Sequence, residues 1–268
     1  MHERQKRGTK RVSAWVAAAA VVLIASLGVV QPAGARTTAK DKPIILVHGY
    51  NFTGGTNSAS NWSTVVSSLR TQGFTGPIIR VSYYGADSNC DVNLHSYGSF
   101  GDRDSWKAMA KALSNYVYSQ FTAKGIAVDL MGHSMGGLII RGAVYGSAKA
   151  VSGFSKPIDV EDAVTLAAPH KGAAWYSHLC LWGQCSSLKP GASDLNWLNQ
   201  NGNPQGRNGT DWTVTGSSAD DTVPLDSAMA MSLPAAQKAS IANVEHSAQL
   251  TNGTVLTRAG AGLTNAGQ

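Results

Sequence analysis

Only three cysteines occur among the 268 residues, Cys90, Cys180 and Cys185, and their spacings match no four-ligand zinc pattern. A zinc site built from these thiols is therefore not expected. No stretch interleaves aromatic residues with a Lys/Arg stripe, so the formal net charge of +6 does not indicate a nucleic-acid partner. Beyond residue 30 there is no further long apolar run, which predicts a soluble mature chain with no permanent membrane anchor. Internal repeats and a second-domain linker are also missing, and the length suits one large core.

What the chain does have at its start is a basic segment, Arg4, Lys6, Arg7, Lys10 and Arg11, followed by the apolar run VSAWVAAAAVVLIASLGVV. Pro32 and the small residues Ala33 and Ala35 come next. This layout predicts a secretory signal peptide over residues 1–35, cleaved between Ala35 and Arg36. No Arg-Arg pair occurs in it, which points to the general secretory route. The expected location is extracellular. The segment carries five basic residues and one acidic residue, Glu3, so its removal lowers the net charge to about +2. An exported chain favours disulfides. Cys180 and Cys185 flank LWGQ, a gap short enough for a local bridge, which would leave Cys90 over.

Short apolar runs alternate with helical patterns along residues 36–268. Strands are expected within 42–49, 76–85, 126–132, 159–169, 211–217 and 238–246. Helices are expected over 58–73, 102–125, 135–148 and from Asn252 onward. This alternation implies crossover units, hence about six mostly parallel strands with helices on both faces. Residues 171–210 break the rhythm. They are rich in Gly, Asn, Ser and Pro yet carry Trp175, Trp182 and Trp197, and they are expected to form a cap-like insert.

The stretch VDLMGHSMGGLII, residues 128–140, sets Gly132 and Gly136 on either side of Ser134, between an apolar strand and an apolar helix. That is the context of a nucleophile elbow, in which a serine oxygen is exposed on a tight strand-to-helix turn. Serine is a weak nucleophile and needs a base, which in turn needs an orienting acid. In a chain order of serine, acid, base, only His246 lies late enough among the seven histidines. His133 adjoins the nucleophile and is expected to point away from it. The stretch WTVTGSSADDTVPL offers Asp220 and Asp221 as the acid; Asp220, three residues before Val223-Pro224, is the first choice and Asp221 the fallback. Two backbone N–H donors are needed for an oxyanion, and those of Met135 and Tyr50 are chosen. His48 and His170 are expected to brace loops.

Together, VHGYN, GHSMGG, SSADDTVP and VEH resemble the α/β-hydrolase superfamily, and within it the small secreted bacterial lipases and esterases, streptomycete ones especially. The resemblance spans about residues 42 to 260 and implies a minimal α/β-hydrolase fold lacking the usual two leading strands. It departs from the smallest members in the Trp-rich insert. It implies a carboxylic-ester hydrolase acting through an acyl-enzyme on a lipid or other ester, at a lipid–water interface, as a monomer and with no metal or cofactor. Triacylglycerols, phospholipids (a phospholipase A1 activity), short-chain esters and polyesters all fit. Trp175, Leu179, Leu181, Trp182 and Trp197 would either build an acyl groove or pack the insert. An acyltransferase or serine peptidase would use the same residues, and a non-catalytic binding module would need none of them.

Overall fold

The computed structural model describes residues 37–174 and 182–265. The expected signal peptide, and Trp175, Leu179, Cys180 and Leu181 of the insert, lie outside the described residues.

In chain order the elements are β1 (Ile44–Val47), α1 (Ser58–Asn61), α2 (Ser63–Thr71), β2 (Ile78–Ser82), β3 (Val92–Asn93), α3 (Trp106–Gln120), β4 (Val128–His133) and α4 (Met135–Ala148). They continue with β5 (Val160–Leu166), α5 (Gly183–Ser187), α6 (Ser193–Leu198), β6 (Asp211–Gly216), α7 (Leu225–Ala228), β7 (Lys238–Ser240) and α8 (Gly253–Gly262). The strands form one sheet in the order β3-β2-β1-β4-β5-β6-β7, and every pairing is parallel. The sheet thus has seven strands among the described residues, not six. The added one, β3, pairs through only two residues and has too little apolar pattern to be seen in sequence.

Side-chain alternation divides the core. Ile45 and Val47 of β1, with Leu130 of β4, pack toward α3 and α4. Ile44 and Leu46, with Met131, Val164 and Leu166, pack toward Trp62, α2 and α8. Because β1, β4 and β6 are buried on both faces, their sequences read as continuous apolar or threonine-rich runs. The helix expected over 58–73 is interrupted at the fully buried Trp62. Helix α3 starts where Ser105 accepts the Lys107 N–H, and α8 starts where Asn252 accepts those of Thr254 and Val255.

The described part of 171–210 is not structureless. It forms α5 and α6, and Leu188, Leu195 and Leu198 are buried in the α3/α4 side of the core. Asp194 of α6 accepts from Ser105 and faces Lys107 Nζ at 3.7 Å, which ties this segment to α3.

Strand order decides where a site can form. From β1 the chain moves outward to β2 and β3, then returns through α3 to β4 on the opposite side of β1. The loops leaving the carboxyl ends of β1 and β4 therefore diverge, and a cleft opens between them.

Candidate active site

Ser134 sits at the end of β4 with φ 55° and ψ −127°, outside the regions open to most L-residues. The strained turn survives because its flanks have no side chains. A Cβ on Gly132 would stand 2.5 Å from the Gly136 backbone, and one on Gly136 would stand 2.0 Å from the Val47 carbonyl oxygen. Helix α4 begins at the next residue, so Ser134 faces the positive end of the helix dipole.

Three residues far apart in sequence meet here. His246 Nε2 lies 2.9 Å from Ser134 Oγ, and its Nδ1 lies 2.8 Å from Asp220 Oδ2. The Asp220 side chain is sealed from solvent, and its Oδ1 accepts the backbone N–H groups of Thr222 (2.9 Å) and Val223 (2.8 Å). Those bonds aim the carboxylate at the imidazole. Asp221 is exposed, and its Oδ1 accepts from the Thr222 hydroxyl at 3.3 Å. Ser217, after β6, links the two loops: its Oγ accepts the N–H of Ala219 on the acid's loop and of Val244 on the base's loop. Sequence patterning carried no signal for this role.

The loop after β1 comes in from the other side. A Cβ on Gly49 would meet Ser134 Cβ at 2.8 Å, so glycine is what lets the two chains approach. Among the described residues, no group accepts from the N–H of Tyr50 or of Met135. Both therefore remain available beside Ser134. A cavity of about 360 Å³ opens over this point and is lined by Tyr50, Ser134, His246, Leu250 and Thr251, among others.

His133 corrects an expectation. It does not point away from the site; its Nε2–H donates to the His246 carbonyl at 3.1 Å, and the two rings lie 4.8 Å apart. Two-residue alternation places it on the same sheet face as Met131, the face covered by the His246 loop and α8. Burial, reinforced by the neighbouring His246, pushes its pKa down to about 3, so it stays neutral. His170 is fully buried on Thr165, its pKa well below the usual range for the same reason, and its carbonyl accepts from Asn199. His48 bridges Gly49 and Asp87, and His95 stacks on Phe100.

Neither Trp182 nor Trp197 is among the described residues that line the cavity. Trp197 packs among Trp106, Tyr145 and Phe154, with Lys107 Nζ 4.0 Å above its ring. Trp182 lies 5.8 Å from the exposed Phe52 and carries Arg103 over its face. The packing role holds for Trp197. No group of three or more potential metal ligands is assembled among the described residues, and no helix there is long and apolar enough to cross a membrane.

Comparison with known proteins places the fold. The model of the alpha/beta hydrolase family matches residues 44–255. Among solved structures, the mature lipase BlEst2 of Bacillus licheniformis superposes with a TM-score of 0.58 at 16% identity, over 88% of this chain and 95% of that one. Phospholipase PlaB of Legionella pneumophila gives 0.60 at 14%, over 85% of this chain and 60% of that one. Lipase B of Aspergillus fumigatus gives 0.60 at 14%, over 85% and 53%. At such identities the likeness is one of fold. No curated protein sequence matches.

Proposed function

From the premise that this chain belongs to the alpha/beta hydrolase family, we propose that it is a secreted serine hydrolase that cleaves carboxylic esters of lipids. The observation that carries this reading is the unbroken path Asp220–His246–Ser134, with contacts of 2.8 and 2.9 Å, beside two unengaged backbone N–H groups.

The steps follow from the positions of the atoms. Ser134 Oγ attacks the ester carbonyl carbon while its proton passes to His246 Nε2. The carbonyl oxygen becomes an oxyanion held by the N–H groups of Tyr50 and Met135, which need no reorganisation at that moment. Asp220 keeps the Nδ1–H tautomer and stabilises the imidazolium without taking its proton. Collapse of the adduct expels the alcohol, which takes the proton from His246. Water then attacks the acyl-enzyme, giving a proton to the same imidazole, and the acid leaves as Ser134 is restored.

A lipid substrate is supported by the names of the structural neighbours, two lipases and a phospholipase. The cavity size also falls within the ordinary range for small-molecule sites. The chain acts as an extracellular monomer once residues 1–35 are removed, and Cys180 and Cys185 close a local bridge in it. Cys90 remains a thiol.

Nitrophenyl esters of graded acyl length, emulsified triacylglycerol and phosphatidylcholine form the test panel. Turnover of at least one by wild type, abolished in Ser134→Ala, is the expected outcome. Equal rates in the two proteins, or no turnover of any member, would overturn the proposal. Acyl transfer to an added alcohol in preference to water would favour the transferase reading instead.

A further inference from the structure

His48 has its side chain 1% exposed and both ring nitrogens engaged, and the partners dictate its charge. Nδ1 lies 2.9 Å from the Gly49 carbonyl oxygen, and Nε2 lies 2.9 Å from Asp87 Oδ2. A carbonyl oxygen can only accept. The Asp87 carboxylate also only accepts here. Its Oδ2 takes the N–H groups of Tyr83 and Tyr84, both at 2.9 Å, and its Oδ1 takes that of Thr56 at 2.7 Å. Three backbone donors on one carboxylate favour its ionised form. Burial opposes ionisation, but the hydrogen bond and charge of His48, followed by the N–H groups of Tyr84 and Tyr83, hold the Asp87 pKa below the usual range. With an acceptor at each end, both ring nitrogens must carry protons.

We propose that His48 is a buried imidazolium that polarises the oxyanion-hole peptide. The Gly49 carbonyl that receives its Nδ1–H belongs to the same amide as the Tyr50 N–H. Drawing electron density toward that oxygen strengthens the N–H as a donor on the far side of the peptide plane. The Tyr83 hydroxyl lies 2.7 Å from both the Gly49 and the His48 carbonyl oxygens and shares its one proton between them, while its ring stacks on His48 at 4.2 Å. The chain of interactions runs from the Asp87 carboxylate through the His48 ring and the Gly49–Tyr50 amide to the substrate oxygen. His48 is thus a positioning residue, separate from the proton transfer at His246. The proposal rests on the ester-hydrolase reading for its catalytic meaning, but the charge of His48 is independent of it.

The other ionisable groups facing His48 are few. Tyr83 and Tyr84 stay neutral because burial raises the pKa of both. His133, at the end of β4, is held neutral by burial. His246 lines the same cavity. Asp87 is the counter-charge.

Two measurements test this. Long-range ¹⁵N–¹H correlation spectra of the purified protein between pH 7 and 8 report His48 directly. Two protonated ring nitrogens are expected, and a single-tautomer neutral pattern overturns the proposal. Asp87→Asn keeps a hydrogen-bond partner but removes the anion, so His48 should no longer hold both ring protons. The expected kcat for ester hydrolysis then falls on the alkaline side to about a tenth of wild type, with KM little changed. Wild type should stay level there. A folded Asp87→Asn protein, checked by circular dichroism, that follows the wild-type profile also overturns it. If Asp87→Asn does not fold, the spectra of the wild type still decide. If the wild type cleaves esters and His48 is neutral, only this inference fails; if it cleaves none, the functional proposal fails whatever the spectra show.

Discussion

The Nε2–H of His133 is bonded to the carbonyl oxygen of His246, the residue whose ring meets Ser134. The residue before the nucleophile thus holds the backbone of the base. His133→Leu removes that bond while filling similar space. A single orienting hydrogen bond is worth about 1 kcal/mol, so kcat is expected to fall about fivefold with KM preserved. Steady-state kinetics on a soluble ester would check this; a change in KM alone would count against a role in orienting the base.

The two adjacent aspartates make a sharp contrast. Asp220→Asn, like Ser134→Ala or His246→Ala, is expected to lower kcat about 10⁴-fold, because the imidazole loses its tautomer and its counter-charge. Asp221→Asn should remain within about twofold of wild type, since its carboxylate faces solvent and weak surface contacts rarely matter. Parallel kinetics of the two variants would refute the assignment if Asp221→Asn proved the more severe.

Two glycines separate stability from activity. Gly136→Ala places a Cβ 2.0 Å from backbone that cannot yield, so loss of about 3 kcal/mol or more, or insolubility, is expected. Gly49→Ala meets the side chain of Ser134 at 2.8 Å. It should fold but lose tenfold or more in kcat, on the rule that a misplacement of about 1 Å costs up to about a hundredfold. Thermal melts and ester kinetics on both variants distinguish these outcomes.

Below the sheet, at the ends of the strands remote from Ser134, Lys42 Nζ is shared by Asp129 (3.1 Å), Glu161 (3.3 Å) and Asp162 (3.3 Å). Burial raises the Asp129 pKa to about 7; burial and the charge of Asp129 raise Asp162 to about 8. Both lie above the unfolded value of about 4, so the native state holds protons that the unfolded chain releases. This contribution is complete below about pH 4 and declines as pH rises, reaching its floor above about pH 8. Asp162→Asn removes one like charge and should flatten the alkaline decline in Tm by an amount worth a few kcal/mol at most. Melting curves from pH 5 to 9 that run parallel for the two proteins would sink this account.

Much of the site was legible from residue spacing. The elbow reads from sequence because its requirement is local: glycines two positions either side of a serine, between a strand and a helix. His246 emerged by elimination along the chain, and the structure brings it to Ser134. The misplaced expectations share one cause. His133 and the full extent of the sheet depend on what a side chain meets from a distant segment, and β3 is too short to carry a pattern.

By itself, then, the amino-acid order determined the alternation of strands and helices and the elbow, since period, glycine placement and caps act over a few residues. Tertiary packing alone decided which of two neighbouring aspartates faces the imidazole, that His133 supports His246, and that His48 lies between a carbonyl and a carboxylate. Those outcomes depend on partners as many as 113 residues away, and only the reversal of strand order between β1 and β4 brings the loops from the two sides together.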